Sequence, residues 1–195
     1  MKIYVVLLAF VLAFSGTIPS AMAQDTVLTK KEQKKLEREK KKKERAAENE
    51  AVTEKLVKLL SHRFFVFKAT RVYDNSGRSF SVSPTINFLS VIDTLVTFQF
   101  GFDQLIGWNG VGGVTSEGYT EGYVFNENKD SKRPMTVQSR VRPVKSVGSP
   151  YFTITVMNDG QADLNLTTSR GGTIRMSGEI WDPRDAGIYK GTVIW

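Results

Sequence analysis

Chemistry in this 195-residue chain would have to come from few side chains. There is one histidine, His62, and no cysteine. A Cys–His site is therefore excluded. A Ser–His–Asp site would have to use His62, and no Gly-x-Ser-x-Gly elbow supplies its serine. His62 falls at the end of a predicted helix, where the macrodipole favours a cation, so it reads as structural rather than as a general base. No carboxylate series has calcium-loop spacing, so neither a metal nor a cofactor is expected. Glu117, Glu121, Glu179 and Asp182 are the carboxylates available for a glycosidase-type pair, but acids on loops are usually solvated, and no catalytic residue is assigned.

Aromatic residues offer a different chemistry. Phe98, Phe100 and Phe102 alternate on one face, and Trp108 follows in a loop. Such a row is the pattern of a core face, and it also suits a stacking platform or the wall of an apolar cavity. Trp108, Tyr119 and Phe102 are the candidate ligand-binding residues. The Gly-rich stretch Gly107–Gly118 lacks a following helix to present its N-terminus to a phosphate, so it reads as a plain loop before a strand starting at Tyr119.

These residues belong to a chain whose start reads as an export signal. Lys2 precedes an apolar run, Ile3 to Phe14, which Ser15, Gly16 and Pro19 interrupt. Ala21 and Ala23 then place small residues where a signal peptidase reads them, so cleavage is expected after Ala23. The run is short for a membrane span, and the absence of cysteine excludes a lipoprotein anchor. The expected location is the periplasm or another exported compartment, and the fold must hold without disulfides.

The formal charge of +7 is not spread over the chain. Lys30 to Arg45 holds ten basic and four acidic residues, a net +6. Outside that run and the signal, basic and acidic residues balance. A nucleic-acid-binding fold would carry its basic face on the folded part, so no nucleic acid is expected. Thr29-Lys30-Lys31-Glu32 fits a capping box, and strong helix formers follow with no Gly or Pro before Gly77. Only Leu36 is strongly apolar between Lys30 and Arg45. From Val52 the pattern becomes an apolar stripe, Val52, Leu56, Leu59 and Leu60, which must pack on something. This predicts a polar helical spacer joined to a docked amphipathic end, over residues 24–61. The basic run suits attraction to an anionic envelope component or a protein partner. It lacks the apolar face of a membrane-lying helix.

Residues 62–195 read as a β domain. The predicted strands are Phe64–Tyr73, Ser79–Ser83, Thr85–Ile92, Leu95–Phe100, Tyr119–Asn126, Met135–Val141, Tyr151–Met157, Ala162–Thr168, Thr173–Trp181 and Ile188–Trp195. Asp93-Thr94 and Asn158-Asp159-Gly160 are hairpin signals. Phe152, Ile154 and Val156 alternate with polar residues, as do Leu164 and Leu166, so these strands should have one wet face. The fold class is mainly β, an antiparallel meander curled into a sandwich or barrel and preceded by a Lys-rich helix. Tyr189, Gly191, Val193 and Trp195 alternate as in the last strand of an outer-membrane barrel, but most strands are too short or mixed for one, and the chain is not expected to be an integral membrane protein.

From about Val52 to Ile180 the chain resembles an exported Bacteroidetes domain-of-unknown-function family (DUF4251). The resemblance rests on the lead-in helix, Phe67-Lys68-Ala69-Thr70-Arg71, the stretch from Asn87 to Leu95, and Phe98–Gly101. It continues through the Gly-rich loop, Asp159-Gly160-Gln161-Ala162, Thr168-Ser169-Arg170 and Ile174 to Ile180. It implies export and a β domain, and it supplies no catalytic residue. Lys30–Arg45 and Asp182–Trp195 lie outside it. The resulting expectation is a non-enzymatic periplasmic binding or interaction module. The alternatives are a structural envelope protein without a small ligand and a carboxylate hydrolase.

Overall fold

The computed structural model describes residues 30–101, 112–128, 133–144, 149–168 and 171–193. Among the described residues one helix, α1 (Lys30–Ser61), precedes nine strands. These are β1 (Phe64–Tyr73), β2 (Ser79–Ser81), β3 (Phe88–Ile92), β4 (Leu95–Phe100) and β5 (Val114–Asn126), then β6 (Met135–Pro143), β7 (Tyr151–Val156), β8 (Gln161–Thr167) and β9 (Thr173–Trp181). The meander runs antiparallel from strand to strand, and β9 returns to pair with β1. An eight-stranded barrel is thereby closed. The short β2 pairs with the far half of β1, on the edge where β3 pairs with the near half.

Alternation decides what lies inside. On β7, Phe152, Ile154 and Val156 are buried, and on β8, Ala162, Leu164 and Leu166. With Phe65, Phe67, Leu89, Met135, Val137 and Met176 they form one core that fills the interior. The outward row of β8 is Gln161, Asp163, Asn165 and Thr167, all exposed. A membrane barrel has the reverse arrangement, an apolar band outside. Among the described residues no helix is long and apolar enough to cross a membrane.

The helix has two regimes. Every residue from Lys30 to Ala51 is exposed, and burial begins at Val52. Leu56, Leu59 and Leu60 then join the same core as the barrel interior. The predicted stripe is therefore the docked face. At its C-terminal end Arg63 adopts a left-handed backbone, φ 55°, and its N–H donates to Leu60 O. The Arg63 guanidinium lies 5.0 Å from the centre of the Tyr123 ring, whose hydroxyl donates to Leu60 O at 2.6 Å. Burial pushes the Tyr123 phenol well above its ordinary value, and the Arg63 charge pulls partly back.

Three sequence expectations need correction. The strand expected at Tyr119 begins at Val114, so Val114–Gly118 is strand and not loop. It survives its glycines because β4 supplies a full ladder, with Gly118 opposite Val96. The strand expected at Thr85 begins at Phe88, because residues 82–87 leave the ladder in a turn anchored by Asn87 on Ser83. Ile188–Trp195 reads as a strand in the sequence, yet its described part, residues 188–193, pairs with none. It belongs to a strap, residues 183–193, laid on the outer face of β1, β3 and β4. There Ala186 and Ile188 pack on Val66 and Phe88, in a cluster apart from the main core.

Closure is tightest where Ala69 pairs with Gly178, beside a register shift between Ala69 and Arg71. A Cβ at Gly178 would overlap the Lys68 carbonyl, a backbone atom that cannot yield without moving β1. Gly178→Ala is therefore expected to cost about 1–3 kcal/mol or more, read by denaturant unfolding. Tyr123→Phe is expected to cost about 1 kcal/mol through the lost bond to Leu60. An unchanged midpoint in either variant would contradict the account of closure or of helix docking.

Candidate functional site

The carboxylates singled out from sequence are already occupied. Glu117 accepts from Thr97 Oγ1 at 3.2 Å and pairs with Lys190. Glu121 faces Arg142 at 3.6 Å. Glu179 accepts from Gln161 at 2.9 Å and from the Trp181 indole at 3.2 Å. Asp182 is 3 % exposed and accepts from the Arg184 backbone N–H and guanidinium, the shortest contact being 2.5 Å. Each acid thus has a cation or amide partner. Among the described residues no group of three or more His, Asp or Glu is placed to hold a metal ion.

His62 is exposed, and its Nδ1 lies 2.7 Å from Lys58 O in the last turn of α1. That is the helix-terminal position read from sequence. Phe98 and Phe100 pack against the barrel core. Of the three candidate ligand residues, only Tyr119 falls among the described residues; Trp108 and Phe102 lie outside them. Tyr119 sits on the outer face, 43 % exposed, with the Arg142 guanidinium 6.0 Å from its ring centre. It lies on the opposite face of the sheet from Phe98 and Phe100, which pack on the core. Ala21 and Ala23 also lie outside the described residues.

Two open grooves flank the docked part of α1. One, of about 620 Å³, is lined by Glu50, Thr53, Glu54, Lys58, Glu127 and Asn158. The other, about 310 Å³, runs along Lys55, Asp159, Glu179, Trp181 and Asp185. Both are shallow and rich in acids. The positive counterpart is the stretch Lys30–Arg45, whose residues are all exposed. The chain divides into two units, with the boundary between Lys40 and Lys41. The basic stretch supplies residues to both, most of them to the first.

Residues 44–180 match DUF4251, a domain of unknown function. The chain belongs to the DUF4251 family. A crystal structure of a DUF4251 family protein from Bacteroides eggerthii DSM 20697 has the same fold, with TM-score 0.56 and 22 % identity over 68 % of this chain and 88 % of that one. No curated protein matches. The DUF4251 match covers the base of α1 and the whole barrel, and it stops at Ile180, one residue before β9 ends. Most of the basic run and all of the strap lie outside the matched residues.

What sequence reading missed was the outer-face role of Asn87, Gln99 and Thr115, which are fully buried. A signal was present: Phe88-Leu89-Ser90-Val91 is buried at every position and does not alternate, which marks a strand covered on both faces.

Asp182 anchors the entry to the strap, and its carboxyl is held down at about 2, first by the hydrogen bond from the Arg184 side chain. An ordinary unfolded aspartate titrates near 3.9. A lowered folded value adds stability above the unfolded value, and that stability is lost as pH falls from about 4 towards 2. Asp182→Asn is therefore expected to destabilise the chain at pH 7 and to match the parent near pH 2. Thermal unfolding across that range reads the difference. A penalty that persists undiminished at low pH would show that the carboxylate charge is not the cause.

Proposed function

We propose that this chain is an exported, periplasmic, non-enzymatic interaction module in which the barrel is the folded platform and the basic stretch of α1 is the recognition element. Its partner is an anionic envelope component. One observation carries this reading: from Lys30 to Arg45 the helix carries a net +6 with every residue exposed, while the remainder of the mature chain is electrically balanced. An isolated helix of this composition would be marginal. Here the stretch continues a helix whose last turns are buried in the core, so nucleation is already done. Glu37 with Lys41 and Glu39 with Lys43 add about 0.2–0.5 kcal/mol each in the favourable order. The basic groups are thereby presented on an exposed helical stretch.

The barrel supports the same reading from the other side. Its interior is occupied by Phe65, Phe67, Phe152, Leu60 and Met135, which are fully buried. The acids that a hydrolase would use are engaged with Lys190, Arg142, Gln161 and Arg184. The filled interior also favours the second reading, a structural envelope protein that holds no small molecule.

Co-sedimentation with anionic phospholipid vesicles tests the proposal. Binding is expected to fall steeply between ~0.1 M and ~1 M salt, as the Debye length shrinks from about 10 Å to about 3 Å. Replacing Lys34, Lys35, Lys41 and Lys42 by Gln keeps helix propensity and is expected to abolish binding. Absent binding, or binding that ignores both salt and these substitutions, would remove the charge-based reading.

A further inference from the structure

The strap is held in an unusual way. It makes no ladder with any strand, yet beyond its entry turn four of its backbone groups are bonded to the rest of the molecule. Lys68 Nζ donates to Ala186 O at 2.5 Å, and the Tyr189 N–H donates to Thr85 O at 2.9 Å. The Gln99 carboxamide takes the next two: its Nε2 donates to Tyr189 O at 2.8 Å, and its Oε1 accepts from the Gly191 N–H at 2.7 Å. These are the C=O and N–H that flank residue 190. The side chain of Gln99 therefore serves as a peptide group of a neighbouring strand would. The groove thus reads the strap mainly through its backbone. Ala186, fully buried, and Ile188 rest on Val66 and Phe88, and Gly187 between them takes φ +56°. Tyr189 points to solvent, and Lys190 pairs with Glu117.

The receiving face also has bonds of its own that do not involve the strap. Gln99 also donates to Ile86 O at 3.1 Å and accepts from Thr115 Oγ1 at 3.0 Å. Asn87 donates to Ser83 O and accepts from the Gly101 N–H. The main core contains no strap residue. The strap enters through a turn in which Asp182 O accepts from the Asp185 N–H and the Asp182 carboxylate holds Arg184, with Pro183 between them. It is thus a short segment, tethered by one turn and docked on a preformed groove.

We propose that the outer face of β1, β3 and β4 is a docking groove for an extended peptide, that residues 183–193 are its resident ligand, and that the same segment of a second copy enters it in trans. The occupant is argued from complementarity already on display. A second copy brings the same small residue for the Val66–Phe88 floor, the same backbone for Lys68 and Gln99, and the same lysine for Glu117. Exchange keeps every contact and changes only which copy supplies it. In cis the segment competes at an effective concentration of about millimolar, so trans occupancy belongs to crowded copies.

The test mixes two full-length variants. Ala186→Asp puts a carboxylate on the apolar floor, ejecting the strap and leaving the groove open. Gln99→Ala weakens the groove and frees an intact strap for donation. Sedimentation velocity of the equimolar mixture is expected to show a heterodimer that neither variant forms alone. A mixture that stays monomeric, with both variants showing cooperative unfolding, overturns the proposal. If Ala186→Asp fails to fold, hydrogen exchange on the unaltered chain decides: the Gly191 amide is expected to exchange measurably faster than the β7 amide of Ile154, by opening of the strap alone. Equal protection would mean that the strap leaves only on global unfolding, which also overturns it.

Discussion

Strand β1 is hydrogen-bonded along both edges, to β3 and β2 on one side and to β9 on the other, and the rest of the molecule depends on that double engagement. Without the β9 contact the sheet would be open, with two long unpaired edges inviting other chains. With it, the meander has a single inside. The constraint falls hardest at Gly178, where β9 runs against the Lys68 carbonyl and only a residue without Cβ fits. The register shift beside it lets β1 bend as it crosses from one partner to the next. A second irregularity, on β5 between Glu121 and Val124 with Gly122 at φ +64°, serves the longest strand in the same way.

Closure has a consequence for function. A barrel this small is filled by its own side chains. The helix completes the filling, since Leu56, Leu59 and Leu60 share the core with Phe65 and Ile154. The surfaces left for any recognition are the outward ones, and two of these depart from the ordinary polar exterior. One is the basic stretch before the docked turns of α1. The other is the face of β1, β3 and β4, where Gln99, bonded to the buried Thr115, also bonds the strap.

Much of the barrel was legible in the sequence because its signals are local. Phe152, Ile154 and Val156 alternate with threonines, Asn158-Asp159-Gly160 turns the chain, and Gly160 takes φ +90° as such a turn requires. The stripe from Val52 to Leu60 marked the docked face of α1 for the same reason. Strand limits failed where the deciding partner is distant. Val114–Gly118 looks like a loop until β4 is opposite it, and Ile188–Val193 looks like a strand until no edge is left to receive it. Closure itself is a contact between β1 and β9, about a hundred residues apart, and no short pattern encodes it. The outer site was hidden for a further reason. A buried glutamine in an alternating strand reads as a solvated position unless its cover is known.

The DUF4251 match spans residues 44–180, and the two surfaces most distinct from a plain β exterior are completed by what lies on either side of it. Lys30 to Lys43 precede the match, and the strap follows it. The physics of the two flanks is opposite. In the role proposed for it, the basic helix would act through charge, at range, with little demand on the geometry of a partner, and salt would screen it. The strap interacts through backbone hydrogen bonds and two small apolar contacts, at no range, with strict demands on shape. Taken together, the two proposals give the chain a means of gathering at an anionic surface and a means of pairing once gathered. Concentration links them, because exchange of a tethered segment needs crowding that a long-range attraction supplies. In that arrangement the filled barrel contributes a closed platform, with β1 and β9 paired, and the groove built around Gln99 is the proposed place of pairing between copies.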